Sequence, residues 1–126
     1  MNKKIALITG SSTGIGFGCV EEFLKNGWKV LAHFYEETDK FSSLVSKNKI
    51  ESINCDFSNE NDVNDFLSFI KKRNISALVN SSGCFDFSHN QKNRMEAAKE
   101  VFQINTIVPT MIAEACLIKM KEASFG

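Results

Sequence analysis

A single proline in 126 residues leaves little to interrupt regular structure, and no repeat, low-complexity tract or linker-like shift in composition divides the chain. The length suits one domain, residues 1–126, around one hydrophobic core. Neither sign of charge is in excess: 15 basic and 15 acidic residues cancel, which removes the electrostatic case for a nucleic-acid or membrane partner. Lys3-Lys4 and Lys71-Lys72-Arg73 are short runs that read as solvated ends of elements. There is no Cys-x-x-Cys pair and no paired histidine, so Cys19, Cys55, Cys84 and Cys116 make neither a zinc site nor a redox dithiol. Scattered thiols without a signal peptide read as reduced cysteines of a cytoplasmic protein. Long apolar runs are missing too. Ile5–Ile8 is too short for a secretion signal, and no stretch approaches the length of a membrane span.

What remains is an ordinary soluble composition, 43% hydrophobic and 24% charged. Ile5–Ile8 reads as a first strand buried on both faces, followed by a glycine-rich turn from Gly10 to Gly16. Cys19, Val20, Phe23 and Leu24 share a helical face, and Gly27 sits where a helix C-terminus favours positive φ. Lys29–Phe34 reads as a second strand, 39–46 as a weaker amphipathic helix and Ile50–Cys55 as a third strand. Ser58 or Asn59 then caps a helix with Val63, Phe66, Leu67 and Ile70 on one side. Ile75–Val79 is the fourth strand. A polar loop from Gly83 to about Asn93 leads into a long helix reaching Lys121, lined on one side by Ala98, Val101, Phe102, Val108, Ile112 and Ala115. Strands alternating with helices give an α/β fold, a doubly wound parallel sheet of the Rossmann type.

Thr9-Gly10-Ser11-Ser12-Thr13-Gly14-Ile15-Gly16 lies between a strand and a helix, the context in which such a motif has chemical meaning. Gly10 permits a tight turn, Gly14 a close approach of backbone to a ligand, and Gly16 close packing of helix on sheet. Free N–H groups and the positive end of the helix dipole then make a pyrophosphate site. The plainer alternative is a strand-to-helix turn rich in small residues. A P-loop is excluded, because no Lys-Ser/Thr follows the last glycine.

This spacing resembles the Thr-Gly-x-x-x-Gly-Ile-Gly signature of the short-chain dehydrogenase/reductase family, and the resemblance continues through residue 126. It implies that Asp56, followed by Phe57, contacts adenine. Asn80-Ser81-Ser82-Gly83 is similar to the family's Asn-Asn-Ala-Gly, keeping Asn80 and Gly83. The family's catalytic helix Asn falls on Asn105. The resemblance therefore implies an NAD(P)-dependent oxidoreductase acting on a carbonyl or alcohol substrate. Gly10, Ser12, Thr13, Gly14, Ile15 and Gly16 would hold the pyrophosphate. Phe34 would stand at the adenosine ribose, Asp56 and Phe57 at adenine, and Asn80, Ser81 and Gly83 at the nicotinamide-side ribose.

Asn105 also stands out from its surroundings, in the apolar stripe between Val101/Phe102 and Val108, where a buried amide needs partners. Pro109, four residues on, has no N–H, so the Asn105 carbonyl loses its helical donor. The local alternative is an asparagine satisfying backbone at a kink. The resemblance gives the carbonyl a water to hold in a proton relay.

Phe34 occupies the position where NAD-preferring relatives carry Asp. No basic residue stands ready for a 2′-phosphate, Glu36 and Glu37 would repel one, and Lys40 is the nearest cation. Absence of the acid leans slightly to NADP. His33 reads as a strand-end surface residue and His89 as a loop residue.

In the family a Tyr, a Lys four residues later and an upstream Ser perform hydride-transfer chemistry. The one tyrosine here is Tyr35, with Asp at position 39, so it is not that tyrosine. The chain ends about where a fifth strand would begin, so the sheet is truncated after about four strands. The 126 residues read as an N-terminal nucleotide-binding portion, inactive alone, with Ile75–Val79 as an exposed edge. The alternative is a non-catalytic dinucleotide-binding module or an inactive truncated remnant; a methyltransferase-like Rossmann domain is a more distant third. Family analogy adds a small-molecule substrate and a homo-oligomer through the long helix.

Overall fold

A computed structural model describes residues 2–85 and 93–126. His89 and most of the polar segment before Asn93 lie outside the described residues. Among the described residues, four strands form one parallel sheet: β1 Ile5–Ile8, β2 Lys29–Phe34, β3 Glu51–Asn54 and β4 Ile75–Val79. Helices carry the chain between them: α1 Gly14–Lys25, α2 Asp39–Asn48 and α3 Glu60–Lys71. After β4 come α4 Arg94–Phe102, one π-helical turn at Gln103–Ile107, and α5 Val108–Ala123. The sheet order is β3-β2-β1-β4. The order thus reverses at β1, and a Rossmann-type sheet opens its ligand crevice beyond the carboxyl ends of the strands at such a reversal.

Alternation along the strands sorts the core into two layers. Leu7 and Leu31 face Val63, Phe66, Leu67 and Ile70 of α3 and Val108, Ile112 and Cys116 of α5. Ala6, Ile8, Val30 and Ala32 face Phe17 and Val20 of α1 and Phe41 of α2. Side-chain oxygens cap three helices: Thr38 for α2, Asn59 rather than Ser58 for α3, and Asn93 for α4. Gly27 (φ +78°) turns the chain out of α1. Lys49 does the same after α2 at φ +50°, a conformation that a side chain disfavours.

The long helical stretch departs from its regular reading. Ala97, not Ala98, is the buried residue of α4, and Phe102 is 66% exposed. Asn105 is exposed as well. The cause is the π turn, in which the Val108 N–H reaches back five residues to the Gln103 carbonyl. Such a turn holds extra chain without advancing the helical face, so apolar positions counted at regular spacing lose phase across it. Length also needs correction. Arg94–Ala123 runs 30 residues and is, by length and composition, apolar enough to cross a bilayer. Here its buried side chains Val108, Ile112, Ala115 and Cys116 pack into the core beside α3 and β4.

Candidate functional site

A cavity of about 580 Å³ lies at the carboxyl ends of the strands, within the roughly 300–1,000 Å³ usual for small-molecule and cofactor sites. Gly10, Ser12, Thr13, Gly14 and Ile15 form one wall, and Tyr35, Glu36, Glu37 and Thr38 form another. Cys55, Asp56, Phe57 and Ser58 follow β3; Ser81, Ser82, Gly83 and Cys84 follow β4.

Each glycine of the loop is required by different geometry. Gly10 adopts φ +62°, and a Cβ there would meet the Ser81 carbonyl oxygen at 2.9 Å. Gly16 is packed so tightly that a Cβ would lie 2.0 Å from the Gly10 oxygen. Gly14 (φ +56°) faces open space on its Cβ side, so a ligand can come up to its backbone. Thr13 starts α1 without a side-chain cap. The first-turn N–H groups of a helix have no intrahelical acceptor, and with the helix dipole they suit an anion. This arrangement fits a pyrophosphate.

Three polar side chains hold the loop in place. Thr9, buried, accepts at Oγ1 from the Ser81 and Ser82 N–H groups at 3.0 and 3.1 Å, joining the β1 and β4 loops. Thr38 Oγ1 donates to the Ser12 carbonyl at 3.0 Å, joining the loop to the start of α2. Ser11 Oγ donates to the Ile8 carbonyl at 2.7 Å.

His33 is a further link, and it is not at the surface. It is 2% exposed, and its ring lies flat on Phe57 with centroids 4.1 Å apart. The Gly10 N–H donates to Nδ1 at 3.2 Å, and Nε2 meets the Cys55 carbonyl at 2.9 Å. Burial lowers its pKa to about 4, against a smaller opposing pull from the Cys55 carbonyl. The misplacement has a physical reason. Alternation puts His33 on the face that carries Leu31, and Phe57 and Phe66 cover that face.

The same alternation turns Phe34 to the other face, where it packs on Phe41 at 5.1 Å between ring centroids. Phe34 therefore does not line the cavity; Tyr35, Glu36 and Glu37 do. Gly16 and Asn80 also lie off the lining, Gly16 buttressing the loop and Asn80 donating from Nδ2 to the Pro109 carbonyl at 3.3 Å. Asp56 Oδ1 accepts from the Ser58 N–H at 2.9 Å and the Ser58 hydroxyl at 2.7 Å. Phe57 is a buried floor beneath the cavity. Asn105 is not a buried amide: exposed, it holds the Cys84 backbone from both sides, with Oδ1 accepting from the N–H at 2.8 Å and Nδ2 donating to the carbonyl. Among the described lining residues, Glu36, Glu37, Asp56 and Glu100 are acidic and none is Lys or Arg. Lys40 instead lies over the Phe17 ring, 4.3 Å from its centroid. Burial raises the thiol pKa of Cys55 to about 12, so that side chain stays protonated at neutral pH.

Thr9, Ser11 and His33 were missed as site residues. The hydroxyls of the loop motif are visible in the sequence, but their partners on distant strands are not.

A glycine-loop cavity at the reversal of a parallel sheet defines a Rossmann-type protein. The short chain dehydrogenase family model matches residues 4–126, and the chain belongs to that family. It is 28% identical over 124 residues to the probable short-chain type dehydrogenase/reductase VdlC of Helicobacter pylori, covering 97% of this chain and 45% of that protein. It is 25% identical to the farnesol dehydrogenase of Aedes aegypti, covering 96% of this chain and 53% of that one. Among solved structures, the bulky-bulky ketone specific alcohol dehydrogenase from Comamonas testosteroni superimposes with a TM-score of 0.84 at 25% identity, covering 100% of this chain and 53% of that one. The chain thus spans about half the length of these relatives.

Proposed function

We propose that this chain is the dinucleotide-binding part of an NAD(P)-dependent oxidoreductase that acts on a carbonyl or secondary alcohol. One observation carries the reading: the uncapped start of α1 meets an open Gly14 cradle inside the cavity. Gly10, Ser12, Thr13, Gly14 and Ile15 hold the pyrophosphate, with Gly16 as buttress. Asp56 and Phe57, side by side on the cavity lining, would meet the adenine. Ser81 and Gly83 stand at the nicotinamide-side ribose, with Asn80 fixing their loop to α5. Asn105 would hold a relay water at its backbone carbonyl. When bound, the cofactor would give hydride to a carbonyl or take it from an alcohol; the residues of this chain would bind and orient it.

The cofactor is NAD(H) in preference to NADP(H). This departs from the slight lean to NADP, which rested on the missing acid at Phe34. Tyr35, Glu36 and Glu37 line the cavity just past β2, where this reading puts the adenosine ribose, and a carboxylate there would accept a 2′-hydroxyl hydrogen bond and repel a 2′-phosphate. The same reading takes a small-molecule substrate and a cytoplasmic protein without a nucleic-acid or membrane partner, on the balanced charge of 15 basic and 15 acidic residues. Exposed Phe102, Ile107, Leu117 and Ile118 along α4 to α5 support a homo-oligomer.

Titration calorimetry with NADH, NADPH and S-adenosylmethionine tests the reading. NADH binding at least ten-fold tighter than NADPH, with no S-adenosylmethionine binding, is the expected result. Equal or tighter NADPH binding would overturn the cofactor preference, and binding of S-adenosylmethionine alone would overturn the assignment.

A further inference from the structure

His33 stands on β2, between β1 and β3 in the sheet, and its ring touches the loop that leaves each of those two strands. On one side is the Gly10 N–H of the glycine loop; on the other is the Cys55 carbonyl, directly before Asp56 and Phe57. β1 and β3 are not hydrogen-bonded to each other, so this ring bridges the two loops across the intervening strand.

The partners dictate the form of the ring. A backbone N–H can only donate, so Nδ1 must offer its lone pair to Gly10. A carbonyl can only accept, so Nε2 must carry the proton toward Cys55. The neutral Nε2–H tautomer satisfies both partners. The ring is also immobilised: it stacks on Phe57 with 6° between planes, and Phe66 lies 5.5 Å away between centroids. The Ser82 hydroxyl, 3.4 Å from Nδ1, brings the β4 loop to the same nitrogen.

We propose that His33 is a positioning residue for the dinucleotide: its neutral imidazole locks the glycine loop to the end of β3 and so holds the pyrophosphate and adenine subsites in one register. This rests on the dinucleotide reading of the cavity. His33 touches no reacting atom and acts through Gly10, Cys55 and Phe57. A ligand spanning both subsites benefits from the lock, whereas a ligand filling only one does not.

The test uses the protein carrying this chain, with His33→Phe, His33→Asn and His33→Gln. Phenylalanine keeps a flat ring on Phe57 and removes both nitrogens. Asparagine can restore the acceptor toward Gly10, and glutamine the donor toward Cys55. NADH and ADP affinities are expected to fall at least ten-fold in His33→Phe, with partial recovery in the two amides. Adenosine alone and inorganic pyrophosphate alone, followed by NMR titration, should change less than two-fold. A uniform loss for all four ligands, or no loss for ADP, would overturn the positioning role while leaving the dinucleotide reading intact. A wild-type protein that binds neither NADH nor ADP would overturn both. Nitrogen-15 imidazole shifts of the wild type at neutral pH give a check that needs no variant to fold. An Nε2–H tautomer is expected, and an Nδ1–H or doubly protonated ring would overturn the inference.

Discussion

A Cβ built on Gly16 would stand 2.0 Å from the carbonyl oxygen of Gly10, while one built on Gly14 would meet nothing within 4 Å. The two glycines of one motif therefore fail differently. Gly16→Ala must push backbone against backbone, and it is expected to destabilise the fold by about 3 kcal/mol. Gly14→Ala costs about 1 kcal/mol of left-handed strain but fills the cradle. Urea midpoints should shift far more for Gly16→Ala, whereas NADH affinity should fall at least ten-fold in a still-folded Gly14→Ala. Similar midpoints for the two would contradict this division.

Acid should loosen the fold through His33. Its folded pKa, about 4, lies below the ordinary histidine value of 6.5. The unfolded chain therefore binds the proton more readily over that interval. The stability referred to neutral His33 is present in full above pH 6.5 and is lost as pH falls towards about 4. The difference corresponds to about 3 kcal/mol as an order of magnitude. Urea unfolding at a series of pH values between 7 and 4 should show this slope in the wild type and a shallower one in His33→Phe. Equal slopes would remove His33 as the cause.

Much of this was legible in the sequence, because it depends on local pattern. The bounds of β1, β2 and β4, the glycine loop and a polar cap of α3 at Ser58 or Asn59 follow from apolar runs, φ requirements and side-chain capping. The parallel sheet follows from alternation of strand and helix. Facing was harder to read. Phe34 and His33 are adjacent at a strand end, and only the helices packed above decide which side is cavity and which is core. Asn105 was located as a special position, but its exposure depends on a widened turn that periodicity does not reveal.

Lys49 closes α2 in the left-handed region, at φ +50°. Lys49→Gly relieves that strain and should stabilise the protein by roughly 1 kcal/mol, despite the freedom glycine adds to the unfolded chain. A thermal midpoint unchanged or lowered by Lys49→Gly would contradict it.

Asn105→Ala removes both hydrogen bonds that hold the Cys84 backbone. On the proposed reading, turnover of a protein that carries this chain should drop at least ten-fold with NADH affinity little changed, since Asn105 does not line the cavity. Unchanged turnover would sink the relay role.

In the described sheet β4 is hydrogen-bonded on one side only, to β1. The 126-residue polypeptide by itself is expected to self-associate through that edge and the apolar side chains of α4 and α5. Sedimentation velocity should show concentration-dependent mass, and a monomer with a sharp reversible melt would count against it.

The π turn at Gln103–Ile107 makes residue number itself a structural variable. Deleting one residue there would turn the π turn into an ordinary α turn and let α4 run into α5 as uninterrupted α-helix. Because the π turn holds its extra residue without advancing the helical face, Val108, Ile112 and Cys116 would keep their places in the core, whereas Asn105 would lose its hold on Cys84. The same deletion inside regular α5 would rotate everything beyond it by about 100°. The segment should therefore tolerate a shortening that α5 does not, at the expense of the Cys84 backbone alone.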